Sequence, residues 1–211
     1  MLALLFAVLL PVTAVDASSG SSLTVPVSVS PVAGSANEVR VVADGWDQRY
    51  ASFHGTFPSG SVPRRIALLR LTDDERNAVV RVNAFRRRFG LAPLHVDENL
   101  METARYWATQ ERRSGRIGHT CAALGSPAGC IEFNAYFHRL PGAPADWFSG
   151  QNAAFDTYST WGAPVSGFEN EETATTGERG HFLNLVDASR WIGLGETRVP
   201  GYGSYFAMNL M

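Results

Sequence analysis

The chain has 211 residues, of which 45% are apolar and 18% are charged, and its formal net charge is −2. This length suits one globular domain with extensions, and the small net charge gives no positive field for nucleic acid, so no nucleic-acid partner is expected. All 18 basic residues are arginine, which excludes Schiff-base lysine enzymes and P-loop NTPases. The use of arginine without lysine also suggests GC-rich coding and a bacterial source.

The N-terminus has the pattern of a secretory signal peptide. Leu2 to Leu10 form an apolar run, and Pro11 and small residues up to Ala17 follow it. The run is too short to span a bilayer, so we predict a signal peptide over residues 1–17, with an uncleaved anchor as the alternative. No later segment approaches ~18 consecutive apolar residues. We therefore expect a mature chain without a transmembrane segment and a secreted, extracellular location.

Residues 18–62 have the composition of a flexible linker, because serine, proline, glycine and valine dominate and apolar periodicity is weak. Val39, Val41 and Ala43 recur at every second position and could add an edge strand. We assign residues 63–211 to the folded domain.

Two helices are predicted at the start of the folded domain. Thr72 is the predicted N-cap of the first, because its hydroxyl can accept from the Glu75 amide while the Glu75 side chain returns a bond. This helix ends at Gly90, whose residue type favours a left-handed C-cap. The second helix is capped by Asp97 and runs through Ser114.

The rest of the pattern predicts an α+β domain. The arginines of the first helix are expected to lie mostly on a solvated face: Arg81, Arg86, Arg87 and Arg88. Short helices are predicted around residues 144–148 and 168–174. Two antiparallel strands at 191–198 and 204–210 flank a turn. Helices first and a hairpin last indicate the α+β class.

The two cysteines predict one intramolecular disulfide. Cys121 and Cys130 are too few for a disulfide scaffold, and they lack the C-x-x-C spacing of a zinc knuckle or a redox motif. A bridge between them would close a short loop just after His119. It requires an oxidising compartment, which agrees with the predicted signal peptide.

Common catalytic motifs such as H-E-x-x-H, G-x-S-x-G and the Walker sequence do not occur. A series of polar motifs does occur: Asn83-x-x-Arg86-x-x-x-Gly90-Leu91-x-Pro93-Leu94, His119, Gly150-Gln151-Asn152, Phe168-x-x-Glu171, Gly180-His181-Phe182-x-Asn184 and Ile192-Gly193-x-Gly195. In this order and spacing, the motifs resemble the CAP superfamily domain (cysteine-rich secretory, antigen 5, pathogenesis-related 1, also called the SCP domain). The resemblance covers about residues 66–211.

The resemblance implies a CAP-type α/β/α sandwich with a central antiparallel sheet, and a surface cleft where two histidines and two acidic residues meet. By position these residues are His119, Gln151, Glu171 and His181. Gln151 departs from the family pattern Gly-Glu-Asn, because glutamine has no charge, cannot act as a base and is a poor metal ligand. Glu169 and Glu172 are alternatives to Glu171.

Two imidazoles and a carboxylate are a plausible zinc site. The metal ligands would be His119, His181 and Glu171, with one position left open. The alternative is that both histidines are loop residues that bond to backbone groups. The other histidines match no family position and are assigned no role: His54, His95 and His138.

Aromatic residues cluster in the middle of the domain, and most are expected in the core: Phe133, Tyr136, Phe137, Trp147, Phe148, Phe155, Tyr158 and Trp161. The CAP family is associated with sterol and lipid binding, and this segment could line such a groove. We expect any lipid to bind there and not in the polar cleft of histidines and glutamate.

Two functions are compatible with these features. The first is a secreted, non-enzymatic binding module whose cleft takes a lipid, a divalent metal or a cell-surface partner. The second is a hydrolase of peptide or cell-wall substrates that acts through His119, Glu171 and His181. The glutamine at position 151 and the absence of a nucleophile motif favour the first.

Overall fold

The computed structural model describes residues 71–140, 143, 150–157, 160–175 and 179–211, together with the backbone of strands at 8–15, 22–31, 38–43 and 46–51. The chain divides into two compact units, Met1–Arg70 and Leu71–Met211. The predicted helix at 144–148 lies outside the described residues.

The N-terminal unit contains four strands: β1 (Val8–Val15), β2 (Ser22–Pro31), β3 (Glu38–Ala43) and β4 (Trp46–Ala51). Each strand pairs antiparallel with the next one along the chain. The predicted valine alternation lies in β3, which pairs on both sides and so is not an edge strand. The signal peptide at 1–17 and the linker at 18–62 stay predictions, because their side chains and the residues between these strands lie outside the described residues.

The C-terminal unit contains these elements: α1 (Asp73–Arg88), β5 (His95–Asp97), α2 (Glu98–Ser114), α3 (Phe133–Phe137), β6 (Gly150–Asp156), α4 (Gly162–Asn170), a 3-10 turn (Glu171–Thr173), α5 (Gly180–Leu185), β7 (Trp191–Val199) and β8 (Gly203–Leu210). The strand order is β5-β7-β8-β6, with only the β5–β7 pair parallel. Helix α2 packs on β7 and β8, and α4 and α5 contact β6. The predicted α+β class and the α/β/α sandwich are confirmed.

The helix ends confirm the predicted caps. The Glu75 amide donates to Thr72 Oγ1 at 3.1 Å, and the Thr72 amide donates to Glu75 Oε2 at 2.8 Å. Asp97 Oδ1 accepts from the Leu100 amide at 2.8 Å, and Gly115 closes α2 in the left-handed conformation. The structure differs from the predicted helix at 168–174. Helix α4 begins earlier, at Gly162, and ends at Asn170, after which a 3-10 turn follows.

Arg86 corrects the prediction of a solvated arginine face. Its side chain is buried, with 1% of the residue exposed, whereas Arg87 and Arg88 are exposed. Arg86 follows Val82 by four residues and therefore lies on the buried stripe of α1. Its guanidinium donates to backbone carbonyls at 2.7–3.3 Å: those of Ala92, Leu185, Asp187 and Ser189. These bonds compensate for the lost hydration of the charge.

Two glycines of β7 allow α2 to lie directly on the sheet. A Cβ atom added at Gly193 would overlap the backbone of Leu100, and one added at Gly195 would overlap the backbone of Ala104. The Ile-Gly-x-Gly motif is therefore a packing feature, which sets the distance between α2 and β7.

Gly195→Ala should strongly destabilise the fold, because two backbone segments would have to move apart to admit one methyl group. We expect the free energy of unfolding to fall by about 3 kcal/mol or more, measured by urea denaturation. Gly167→Ala is the control: an added Cβ there meets nothing within 4 Å, and alanine favours the helix. Equal stability of the two variants would contradict the packing role of Gly195.

Candidate functional site

The four predicted cleft residues lie close together as two contacting pairs. His119 Nδ1 lies 3.0 Å from Gln151 Oε1, and His181 Nδ1 lies 2.5 Å from Glu171 Oε1. The centroids of the two imidazole rings are 6.4 Å apart. His119 lies in the loop after α2, Gln151 in β6, Glu171 in the 3-10 turn and His181 in α5, so four separate elements build the site.

Glu171 is the glutamate that faces His181. Its Oε2 atom also accepts from the backbone amides of His181 at 2.9 Å and Phe182 at 3.3 Å. The two alternatives bind elsewhere, since Glu169 contacts Arg81 and Glu172 contacts Arg88. The neutral ring of His181 donates from Nδ1 to the carboxylate, and its Nε2 is left as an acceptor.

Gln151 has a fixed orientation because its Nε2 atom donates to Asn209 Oδ1 at 3.0 Å. Its Oε1 atom therefore faces His119 as the acceptor, and the neutral His119 ring donates from Nδ1. When neutral, a ring that donates from Nδ1 in either contact leaves its Nε2 atom as an acceptor.

Asparagine side chains connect α5 to β6 behind this pair. Asn152 Nδ2 donates to the His181 carbonyl at 3.1 Å, and Asn184 Nδ2 donates to Asn152 Oδ1 at 2.8 Å. A side chain at Gly150 would collide with Asn184. The Gly-Gln-Asn motif thus positions His181 as well as Gln151.

A cleft of about 300 Å³ opens beside Glu171 and His181. We call it the His181 cleft; its lining residues are Ala153, Ala154, Phe155, Asp156, Ala163, Pro164, Gly167, Phe168, Glu171 and His181. Phe155 and the Glu171–His181 pair line the same cleft, so this aromatic residue lies next to the polar pair, and the binding of a lipid to the aromatic segment alone stays a prediction. The strand β6 brings Phe155 there, four residues after Gln151.

The other aromatic residues have mixed positions. Phe133, Phe137 and Trp161 are buried in the core, as expected. Trp147, Phe148 and Tyr158 lie outside the described residues, as does His54. His95 contacts Trp191 and His138 is exposed on the surface.

The residues of the site do not form a three-ligand metal centre. Within the described ranges, no group of three or more histidine, cysteine, aspartate or glutamate side chains is placed to hold a metal ion. The reason is visible in the contacts: Glu171 binds His181 itself, and the residue facing His119 is an amide. Two imidazole Nε2 atoms are the remaining donors, which is a weaker set than the predicted trio of His119, His181 and Glu171.

Covalent and polar contacts anchor the segment that carries His119. The predicted disulfide between Cys121 and Cys130 is confirmed. Trp107 Nε1 donates to the Gly118 carbonyl at 2.7 Å, and the Gly118 amide donates to Glu111 Oε1 at 3.3 Å. The sequence alone gives no sign of this contact of Glu111, because its partner lies in the loop after the helix. Burial raises the pKa of the Glu111 carboxyl to about 9, so it is protonated near neutral pH.

The chain is similar to several known proteins. The model of the cysteine-rich secretory protein family (CAP) matches residues 79–210. An outer surface protein from Borrelia burgdorferi is 14% identical with a TM-score of 0.48, over 67% of this chain and 94% of that chain. An extracellular SCP-domain protein from Bacillus anthracis is 18% identical with a TM-score of 0.49, over 88% of this chain and 59% of that chain. No curated protein sequence matches the chain.

Helix length and hydropathy bear on membrane insertion. In the part of the chain that the structure describes, no helix combines the length and the apolar character needed to cross a bilayer.

Glu111→Gln should change how stability depends on pH. The carboxyl has a pKa of about 9 in the folded protein and about 4.3 when unfolded, so the folded state binds its proton more tightly. Its contribution to stability is complete below about pH 4 and declines as pH rises toward 9, by up to about 1.4 kcal/mol per pH unit.

The measurement is urea unfolding between pH 5 and pH 9, for which Glu111→Gln should give the flatter profile. Glu102→Gln, on the same helix but partly exposed, is the control and should keep the wild-type slope. Identical slopes for wild type and Glu111→Gln would show that Glu111 is ionised in the fold.

Proposed function

Since the chain belongs to the cysteine-rich secretory protein (CAP) family, we propose that it is an extracellular, non-enzymatic binding module whose ligand occupies the His181 cleft. The observation that carries the proposal is the composition of this cleft, which combines apolar lining residues with the polar side chains of Asp156, Glu171 and His181. Ligand sites in proteins commonly combine an apolar lining with a few polar groups that fix orientation.

The geometry favours a ligand with an apolar body and a hydrogen-bond donor. Phe155 and Phe168 offer apolar surface, and the Nε2 atom of His181 is the acceptor. A cleft of about 300 Å³ is at the small end of ligand sites, so it suits a short chain or one segment of a larger molecule. Of the candidate ligands, a lipid or a cell-surface partner fits these walls better than a bare metal ion.

The disulfide supports the extracellular part of the proposal. A bridge such as Cys121–Cys130 persists in oxidising compartments and is rare in the reducing cytosol. The predicted signal peptide at 1–17 agrees with secretion.

The residues of the cleft give less support to the hydrolase alternative. Its lining residues include no serine, threonine, cysteine or lysine, so a hydroxyl, thiol or amine nucleophile is not among them. The Glu171–His181 pair could act as a base, yet the second carboxylate is replaced by Gln151, which can neither bind a metal firmly nor accept a proton.

Titration with 1-octanol, which has an apolar chain and a neutral hydroxyl donor, tests the site. Backbone resonances of the cleft residues should shift, and Phe155→Ala should weaken binding about tenfold, because the ring supplies much of the apolar wall. Phe89→Ala is the matched control: Phe89 and Phe155 are 39% and 38% exposed, but Phe89 does not line the cleft. Equal losses for the two variants, or no shifts in the cleft, would contradict the proposal.

Turnover assays test the non-enzymatic part. We expect no hydrolysis of a panel of peptide and peptidoglycan substrates by the wild type. Hydrolysis that His181→Ala abolishes, while Phe89→Ala leaves it intact, would reverse the choice in favour of the hydrolase.

Zinc titration tests the role of position 151. We expect weak binding by the wild type, and Gln151→Glu should strengthen it by about 1.4–2.7 kcal/mol because it adds a carboxylate beside His119. Affinity in both forms should fall as pH drops through the histidine range, since protonated imidazole cannot ligate. Isothermal titration calorimetry measures this, with His119→Ala as the loss-of-ligand control. Tight wild-type binding that Gln151→Glu does not improve would place residue 151 outside the metal's coordination sphere.

A further inference from the structure

The backbone bonds of the sheet show which groups of β6 point outward. Trp191 and Met211 exchange both N–H···O bonds, at 2.8 and 3.0 Å. The backbone N–H and C=O groups of Met211 and of every second residue before it are therefore directed toward β7. The backbone groups of the intervening β8 residues are directed toward β6, and the register pairs these residues with the even-numbered residues of β6. Gln151, Ala153 and Phe155 therefore direct their N–H and C=O groups away from the sheet.

In the described residues, a side chain forms a hydrogen bond with one end of this outer edge. The Gln151 carbonyl accepts from Asn184 Nδ2 at 3.4 Å, which agrees with the outward orientation. Across the described ranges, the outward groups of Ala153 and Phe155 have no hydrogen-bond partner. Ala153 is only 5% exposed, and shielded backbone groups without partners are costly. The edge thus has the hydrogen-bonding pattern of a strand that lacks its neighbour.

The His181 cleft lies along this same edge. Ala153 and Phe155 form one wall, and α4 contributes another, where Ala163 has a small side chain and Gly167 has none. A Cβ atom added at Gly167 would meet nothing within 4 Å, so the cleft has room beside this residue. A ligand that forms hydrogen bonds with the outward backbone groups of Ala153 and Phe155 needs donors and acceptors that alternate along its length. An extended peptide backbone has them, whereas a fatty acid or a sterol has no such row.

We propose that the His181 cleft binds an extended peptide segment of a partner protein, which pairs with the outer edge of β6 through Ala153 and Phe155. This inference rests on the proposed binding role of the cleft and specifies the class of its ligand. The two outward residues are about 6.6 Å apart, so a stretch of about three peptide residues spans them. Asp156 and Glu171 also line the cleft, which favours a neutral or basic segment over an acidic one.

Hydrogen exchange measured by NMR tests the pairing directly. The probe is a mixture of short peptides of random sequence with blocked ends. In the unliganded protein the amides of Ala153 and Phe155 should exchange rapidly, and the peptides should slow them about tenfold. Asn152 and Ala154, which already face β8, should keep their rates. Protection of Ala153 and Phe155 before peptide is added, or no slowing on addition, would overturn the proposal.

N-methylated peptides of the same mixture provide the ligand-side control. They keep the side chains but lack backbone donors, so they should not slow the exchange of these amides. If they slow it as well as the unmodified peptides do, apolar contact and not strand pairing explains the binding, and the proposal is wrong.

Two matched variants locate the binding site on the protein. Gly167→Leu should abolish peptide binding, because it fills the cleft in a position where the fold has room. Gly162→Leu lies on the same helix outside the cleft and should bind as the wild type does. Loss of binding in both variants, or in neither, would overturn the assignment.

Binding of 1-octanol separates this inference from the proposed function. If 1-octanol binds the cleft and the peptides do not, the peptide assignment fails while the binding role of the cleft stands. If neither binds, both fail.

Discussion

The buried guanidinium of Arg86 is the interaction on which the arrangement of the site depends. Its carbonyl partners belong to three segments: the turn before β5, the end of α5 and the loop before β7. Burial lowers the pKa of Arg86, and the nearby carboxylate of Asp187 opposes that shift. Because α5 begins next to His181 and ends at this cluster, Arg86 fixes the position of the helix that carries His181.

Close packing on the other face of the sheet complements this cluster. Gly193 and Gly195 let α2 rest on β7, and β8 then separates that contact from β6. In the described four-stranded sheet β6 is the last strand, so its outer groups can take part in a site. The fold thus places a strand edge and a polar pair side by side.

Local features of the fold were predictable from the sequence, and long-range contacts were not. The caps at Thr72 and Asp97 depend on residues three positions away, so the sequence pattern contains all the partners. The burial of Arg86 depends on carbonyls about a hundred residues along the chain, which no local pattern shows. The position of Phe155 in the His181 cleft has the same origin, because it requires α4 to pack beside β6.

Glutamine at position 151, where the family pattern has glutamate, changes the charge of the site more than its shape. Gln151 donates to Asn209 and faces His119 as an acceptor, which a glutamate could not do at both ends. In the described residues, the Nδ2 atom of Asn209 has no partner, and a carboxylate at position 151 would provide one if the amide turned over. The site therefore has one pair with a carboxylate, Glu171 with His181, and one pair without, Gln151 with His119. Because Glu171 already contacts His181, this pair can orient a ligand that carries its own hydrogen-bond donors.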